Sequence, residues 1–176
     1  MRFSELSLRG AYLVEIEPRT DERGFFARTF CEAEFGAVGL VNHFPQASIS
    51  YNKRRGTVRG MHFQASPREE TKLVRCLAGA VYDVIVDLRP SSPTYCRWAG
   101  VELSANNRSA LYIPKGFAHG FQSLLDDSEL LYMIDVGYVA DAARGVRWND
   151  PSINVRWPNP IEVIADKDNR FADWRP

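Results

Sequence analysis

The chain has 176 residues and carries 22 basic and 22 acidic side chains, so its formal net charge is zero. This length is typical of one domain, and we predict a single domain over residues 1–176. Balanced charge argues against a general binder of nucleic acid or of an anionic membrane, because both need a basic excess. We find no signal-peptide pattern and no stretch near the roughly 20 apolar residues of a membrane span.

The three cysteines, Cys31, Cys76 and Cys96, are odd in number and lack the Cys-x-x-Cys spacing. This pattern favours neither a disulfide framework nor a zinc ribbon. We therefore expect reduced thiols that pack as small apolar side chains, in a cytoplasmic protein.

Short strand-like segments separated by turn signals follow one another along the chain. The first alternates between apolar and polar residues over 12–17, and only 29–38 and the tail after Pro160 look helical or irregular. Further strands are predicted at 72–77, 80–88, 96–104, 109–113, 118–123 and 129–136. Many short strands at this spacing are typical of a sandwich or barrel. The Trp- and Pro-rich segment over 148–160 is expected to wrap over the outside of the β-domain or into a partner subunit.

Two of the three histidines lie in patterns that place an imidazole inside a small barrel. Pro114-Lys115-Gly116-Phe117-Ala118-His119 resembles the second cupin motif, and His62 lies where the first cupin motif has a histidine. The second histidine of that first motif is replaced by Gln64, whose amide oxygen is a weaker ligand for transition metals. A metal site built from His62, His119 and one Glu stays open, as does a purely structural role for His119.

Strand alternation places several polar side chains in otherwise apolar surroundings. On an extended strand Gly60, His62 and Gln64 share a face, and the glycine leaves room for a ligand. Lys72 lies among Leu, Val and Cys, where a lysine either has a buried function or protects a sheet edge from aggregation. Tyr132 in an apolar strand is either a core tyrosine or a functional one.

Several segments, in this order, resemble the dTDP-4-dehydrorhamnose 3,5-epimerase family. They are Arg59–Gln64, Lys72–Val74, Gly79–Arg89 with Ser92-Pro93-Thr94, Ile113–Phe121 and Arg147–Pro151, within a match from Arg23 to Asp168. The resemblance implies an all-β fold, a cupin-type jelly-roll sandwich or barrel with short peripheral helices. It also implies a cytoplasmic, homodimeric isomerase that uses no metal or other cofactor and acts on a nucleotide-diphosphate sugar.

The family chemistry implied by the resemblance is epimerisation at C3 and C5 of a nucleotide-linked 4-keto-6-deoxy hexose. The ketone acidifies both positions, so an enzyme can remove a proton, hold the enolate and return a proton on the other face. By resemblance, His62 is the base and pairs with Asp168, Lys72 stabilises charge on the 4-oxygen, and Tyr132 is the acid. The positions expected to contact substrate are Arg23, Arg28, Gln46, Ser48, Arg59, His119, Tyr138 and Lys167.

Two positions pose a question of geometry. Arg59 and His62 have opposite parity on a regular strand, so both can face one pocket only with a bulge or a strand start at Gly60. Asp83 lies opposite the apolar even-numbered face of its strand, and we expect it to point towards the pocket and support the site.

The chain departs from the family pattern at three places. Arg28 stands where Glu is common, Gln46-Ala47-Ser48 where Gln-Asp-Asn is common, and Ala143 where Glu is common. The first two belong to the part of the site that recognises the nucleotide base. Because an arginine can only donate hydrogen bonds, it cannot accept the N3–H of thymine. We hypothesise either an altered base preference, with CDP-sugars as one alternative, or a different side chain that supplies the contact.

Other functions also stay open at this point. A mono-epimerase acting at C3 or C5 alone could carry the same His62, Lys72 and Tyr132. A metal-dependent cupin is a second alternative, and the replacement at Gln64 speaks against it. A non-catalytic cupin that binds nucleotide sugars is a third, and the intact set of predicted catalytic residues speaks against that.

Overall fold

The computed structural model describes residues 1–175, so Pro176, the end of the predicted domain, lies outside the described residues. Most of the regular structure is β-strand. The elements are β1 (Arg2–Glu5), β2 (Tyr12–Glu15), β3 (Arg19–Asp21), β4 (Gly24–Phe26), α1 (Glu32–Ala37), β5 (Gln46–Asn52), β6 (Thr57–Gln64), β7 (Lys72–Ala78), β8 (Ala80–Asp87), β9 (Trp98–Ser104), β10 (Ala110–Ile113), β11 (Phe117–Ser123), β12 (Ser128–Ile134), a 3-10 helix (Ala140–Ala142), β13 (Ala143–Gly145), β14 (Val163–Ile164) and α2 (Asp166–Asn169). No helix within residues 1–175 is long and apolar enough to cross a membrane.

Twelve of the strands form two sheets that face each other, and β3 and β4 pair in a separate hairpin. The first has the order β1-β2-β10-β7-β12-β5, and the second has the order β13-β6-β11-β8-β9, with β14 beside β6. Neighbours pair antiparallel except β14 and β6, which run parallel. Strands that are adjacent in a sheet come from distant parts of the chain, as in a jelly roll. The predicted all-β jelly-roll sandwich with short peripheral helices is confirmed.

Apolar side chains from both sheets meet between them. Val74 and Cys76 of β7 lie in the same buried cluster as Val81 and Ile85 of β8 and Phe121 of β11. Burial of such side chains contributes roughly 1.5–3 kcal/mol each relative to exposure, which favours closure of the sandwich. The predicted strands 72–77 and 80–88 correspond to β7 and β8, so the local alternation located these two central strands well.

The outer face of the second sheet is covered by the C-terminal segment. Val84 and Val86, on the even-numbered face of β8, cluster with Ile153 and with the partly buried Trp157 and Trp174. The expectation that this Trp- and Pro-rich segment wraps over the outside of the β-domain is therefore confirmed. Strand β8 is buried on both faces as a result, and its odd-numbered face, which includes Asp83, points between the sheets.

Strand β5 has no counterpart among the predicted strands, and its composition explains why. Its even-numbered residues are polar, and the register pairs Ser48 with Tyr132 and Ser50 with the fully buried Leu130. The polar side chains thus lie on the same face as Leu130, where Asn52 is buried, Ser50 is half-buried and Ser48 is exposed, while Ile49 and Tyr51 are more than half exposed on the other face. The usual relation between apolar residues and the buried face is inverted here.

A buried carboxylate at the end of β8 accepts hydrogen bonds from the loop between β8 and β9. Asp87 accepts hydrogen bonds from Arg89 Nε at 2.8 Å and Nη2 at 2.7 Å, and from the hydroxyls of Ser92 and Thr94. Burial opposes ionisation of this carboxyl, but these donors outweigh it and lower the pKa of Asp87 to about 2. The charged carboxylate therefore stabilises the folded chain.

We predict that Asp87→Asn lowers the free energy of unfolding by roughly 2 kcal/mol at pH 7, since the depressed pKa reports that much stabilisation. Because the pKa is lower in the folded state, the carboxylate stabilises the folded protein at pH values above its unfolded-state pKa of 3.8. This stabilisation is lost as the pH falls towards about 2. Urea unfolding should therefore show a difference from wild type that narrows below about pH 4. The exposed Asp141→Asn is the control, and an equal loss in both variants would contradict the prediction.

Candidate active site

A cavity of about 330 Å³ lies between the sheets. Strands β6 and β11 of one sheet and β7 and β12 of the other contribute to its wall. Seven of the predicted site residues line it: Arg59, His62, Lys72, His119, Tyr132, Tyr138 and Lys167. They come from segments that are distant in sequence, so the fold, rather than a local motif, assembles this group.

His62 is paired with a buried carboxylate. Its Nε2 lies 2.7 Å from Asp168 Oδ1, and Asp168 Oδ2 accepts the Gly60 N–H at 3.2 Å. The pairing of β14 with β6 brings α2, which carries Asp168, against the strand of His62. Burial opposes ionisation of Asp168, but the hydrogen bond and charge of His62 outweigh it and lower the pKa of that carboxyl. With 44% of its side chain exposed, His62 is accessible from the cavity and oriented as a general base requires.

A bulge lets Arg59 and His62 face the same cavity. His62 pairs with His119 and Arg59 with Phe121, so the β6–β11 register shifts between the two pairs. At the shift Gly60 has φ +142°, and a Cβ there would lie 2.5 Å from the Gly120 Cα. Only glycine fits this close approach, and the predicted bulge is confirmed.

Lys72 lies inside the sandwich and not at a sheet edge. Strand β7 runs between β10 and β12, so the interpretation of Lys72 as a protective edge lysine is wrong. Its ammonium lies 2.8 Å from Glu70 Oε1 and donates to the carbonyl of His62 at 3.4 Å. A lysine side chain that is only 8% exposed needs such an ionic partner, because an unpaired buried charge is costly.

On the other sheet, Tyr132 borders a second histidine–carboxylate pair. His119 Nε2 lies 2.9 and 3.0 Å from the two oxygens of Asp83, and the His119 and Tyr132 rings meet edge to face at 5.7 Å. Burial raises the pKa of Tyr132 well above its ordinary value, the charge of Asp83 raises it further, and Arg59 opposes the shift. The phenol thus holds its proton until a stronger base accepts it. Asp83 points into the interior, as expected.

Four predicted substrate contacts lie outside this cavity. Arg23 is at the exposed turn between β3 and β4 and pairs with Asp21 at 2.6 Å. Arg28 pairs with Glu34 at 2.7 Å and lines a separate small cavity near the N-terminal amine. Gln46 and Ser48 lie on β5, opposite Ile134 and Tyr132 of β12.

Residues that the sequence did not indicate also line the cavity. Glu70 holds Lys72, and Gln64 donates to Glu70 Oε2 at 3.2 Å. The signal available for Glu70 was its position two residues before Lys72, which places both on one side of an extended chain. The sequence placed Gln64 on the same strand face as Gly60 and His62 but gave no partner for its amide.

The three-ligand metal set considered above is not assembled. Within residues 1–175 no group of three or more His, Cys, Asp and Glu side chains is placed to hold a metal ion. His62 and His119 are instead each engaged by one aspartate, Asp168 and Asp83. Their arrangement suits proton transfer and hydrogen bonding.

A family model described as dTDP-4-dehydrorhamnose 3,5-epimerase matches residues 5–175. The chain belongs to this family. An epimerase of that name from Shigella flexneri is 46% identical over 163 residues, covering 89% of this chain and 90% of the relative.

Solved structures agree with the family assignment. The Bacillus anthracis epimerase, described with TDP and PPi bound, superposes with a TM-score of 0.94 at 40% identity, over 98% of this chain and 99% of that one. The Legionella pneumophila enzyme, described in complex with dTDP-4-keto-L-rhamnose, gives a TM-score of 0.88 at 34% identity, over 95% and 89% of the two chains.

We predict that the Tyr132 phenol stays protonated throughout an alkaline titration of the folded protein, because its pKa is strongly raised. The phenolate absorbance of Tyr132→Phe should then rise as much as that of wild type until unfolding begins. A smaller rise in Tyr132→Phe before unfolding would show that Tyr132 ionises easily.

Proposed function

We propose that this protein epimerises C3 and C5 of dTDP-4-dehydro-6-deoxyglucose to give dTDP-4-dehydrorhamnose. One observation carries the proposal: His62, which is paired with Asp168 of α2, lies on one sheet, Tyr132 lies on the other, and His62 and Tyr132 line the same cavity. A sugar ring between the sheets meets a base on one face and an acid on the other. Inversion at carbon needs this arrangement, because the proton leaves from one face and returns to the opposite one.

The paired residues divide the proton transfers between them. His62 removes the hydrogen from C3 or C5, and Asp168 holds its imidazole in one tautomer and stabilises the imidazolium that forms. The ammonium of Lys72 stabilises the negative charge that develops on the 4-oxygen of the enolate. Tyr132 then delivers its proton to the carbon from the other side, and its raised pKa ensures that the proton is present.

The remaining contacts fit a ligand with an anionic diphosphate. The cavity of about 330 Å³ suits a hexose, so the nucleotide extends beyond it. An adjoining groove shares Arg59, His62 and Lys167 with the cavity. Arg59 and Lys167 therefore stand where the sugar gives way to the diphosphate, and the exposed Tyr138 and buried His119 bound the sugar itself.

The alternatives are less well supported. The relatives described above are named for dTDP sugars, and Arg28 is already engaged by Glu34, so an altered preference for CDP-sugars is not favoured. A non-catalytic binding protein would not require the His62–Asp168 pair and Tyr132 on opposite sides of one cavity. Action at a single carbon is distinguished by the exchange experiment below.

We also propose a homodimer, and exposed apolar groups on the surface support it. Phe26 in the β3–β4 hairpin is 78% exposed, and Ile49 on the sheet-edge strand β5 is 61% exposed. An open edge with apolar side chains favours pairing with another chain. If the hairpin reaches the partner's cavity, Arg23 contacts substrate there, although it lies outside the cavity of its own chain.

We further propose that the enzyme acts in the cytoplasm, as one catalytic domain. The three cysteines are free, as expected of a protein in a reducing compartment.

The proposed activity predicts that the enzyme incorporates solvent deuterium at both C3 and C5 of dTDP-4-dehydro-6-deoxyglucose in D₂O, followed by NMR. His62→Ala should abolish exchange at both carbons, whereas His43→Ala, which changes an exposed histidine, should leave it unchanged. Absence of exchange in the wild-type enzyme, or exchange that survives in His62→Ala, would overturn the proposal. Exchange at one carbon only would identify a mono-epimerase.

An arrangement in which the β3–β4 hairpin of each subunit completes the partner's cavity predicts that two defective variants complement each other in a mixed dimer. Random mixing of Arg23→Ala with His62→Ala leaves one intact site in half of the dimers, so about one quarter of the wild-type activity should return in a symmetric dimer. Mixing His62→Ala with Lys72→Met is the control, because both residues line one cavity of the same chain and every site then stays defective. Equal results for the two mixtures would contradict the shared site, and a monomeric mass in sedimentation would contradict the dimer.

A further inference from the structure

A short series of buried polar contacts in the cavity ends at the ammonium of Lys72. Glu70 Oε1 lies 2.8 Å from Lys72 Nζ, and only 8% and 11% of the Lys72 and Glu70 side chains are exposed. The other carboxylate oxygen of Glu70 accepts a hydrogen bond from Gln64 Nε2 at 3.2 Å. Gln64 is 3% exposed, so water has little access to this series of contacts.

The contacts of Lys72 leave one of its donors for a ligand. An ammonium group has three N–H donors. One is directed to the carbonyl of His62 at 3.4 Å, and the ion pair with Glu70 Oε1 at 2.8 Å occupies a second side of the ammonium. The third has no partner in the described contacts, and Lys72 lines the cavity in which the sugar is proposed to bind.

Gln64 connects Glu70 to neighbouring backbone groups and so fixes its position. Its Oε1 accepts the N–H of Val139 at 2.7 Å, and its Nε2 also approaches the carbonyl of Gly137 at 3.5 Å. These backbone groups flank Tyr138, which borders the same cavity. The amide therefore ties the carboxylate that holds Lys72 to the loop that follows β12.

The same contacts argue against Glu70 as a base of its own. One of its oxygens is engaged by the Lys72 ammonium and the other by the Gln64 amide. Proton abstraction from carbon would require the carboxylate to leave both partners and to strand a buried ammonium, which is costly. Its chemical effect on the substrate passes through Lys72.

We propose that Glu70 is a positioning residue, which, held in place by Gln64, directs one N–H of Lys72 at the 4-oxygen of the substrate. This inference rests on the proposed epimerase function and adds a residue to it. Charge on the 4-oxygen grows as the enolate forms, so a correctly placed donor stabilises the transition state more than the bound ketone. Loss of Glu70 should accordingly affect turnover more than substrate binding.

The test compares Glu70→Gln with Glu69→Gln. Both variants remove one carboxylate from the same loop with almost no change in size, but the ion pair with Lys72 involves Glu70. For Glu70→Gln we expect kcat to fall about 10- to 100-fold, the range expected when a reacting group is misplaced by about 1 Å. KM, the affinity for dTDP by calorimetry and the melting temperature should stay close to wild type, and Glu69→Gln should match wild type in all four.

Each other result has a definite meaning. If kcat of Glu70→Gln equals that of Glu69→Gln while the wild-type enzyme exchanges deuterium, the inference fails and the proposed function stands. If KM rises and the dTDP affinity and melting temperature fall together with kcat, Glu70 has a structural role only. If the wild-type enzyme shows no exchange, the proposed function itself fails. Should Glu70→Gln not fold, Glu70→Asp, which keeps the charge but withdraws it from Lys72, must show the same selective loss of kcat.

Discussion

The hydrogen bond between His62 and Asp168 joins positions 106 residues apart, and much of the outer structure serves to make it. Strand β14 pairs with β6, and α2, which follows β14, places the Asp168 carboxylate next to the His62 imidazole. Beyond α2, Phe171 packs on Gly145 and Trp174 is held by Asp150 and Tyr95. A carboxylate on a short helix gains its position from such contacts on both sides, because a four-residue helix has little stability of its own.

The interior of the sandwich is divided between an apolar part and a polar part. Three pairs of opposite or complementary groups meet in the polar part: His62 with Asp168, His119 with Asp83, and Lys72 with Glu70. A buried polar or charged group without a partner is strongly unfavourable, so each of His62, His119 and Lys72 is accompanied by a carboxylate. The zero net charge of the chain thus conceals a site in which basic and acidic groups are closely matched, and Arg59 and Lys167 are the groups proposed to meet the diphosphate.

In the proposed mechanism the base lies on one sheet and the acid on the other, and this placement explains how one cavity can serve two carbons. Because C3 and C5 flank the same ketone, a base on one wall and an acid on the other can act on either carbon in the same way. The enolate stabiliser acts on the oxygen that the two reactions share. In the proposed mechanism, whether one or both carbons react depends on how the enolate ring reorients within the cavity.

The sequence by itself determined the strand-rich fold, because period-two alternation marks half-buried strands, and it indicated His62, Lys72 and Tyr132 through motifs and their apolar surroundings. Alternation also required a bulge or a strand start at Gly60, and the register of β6 with β11 shows the bulge. The alternation pattern could not show β5, whose polar face points inward, or the partners of the buried groups, Glu70 for Lys72 and Asp83 for His119. Alternation states which residues share a face of one strand. Only the order and register of strands from distant parts of the chain decide which faces meet, and so which charges are neutralised and where the site lies.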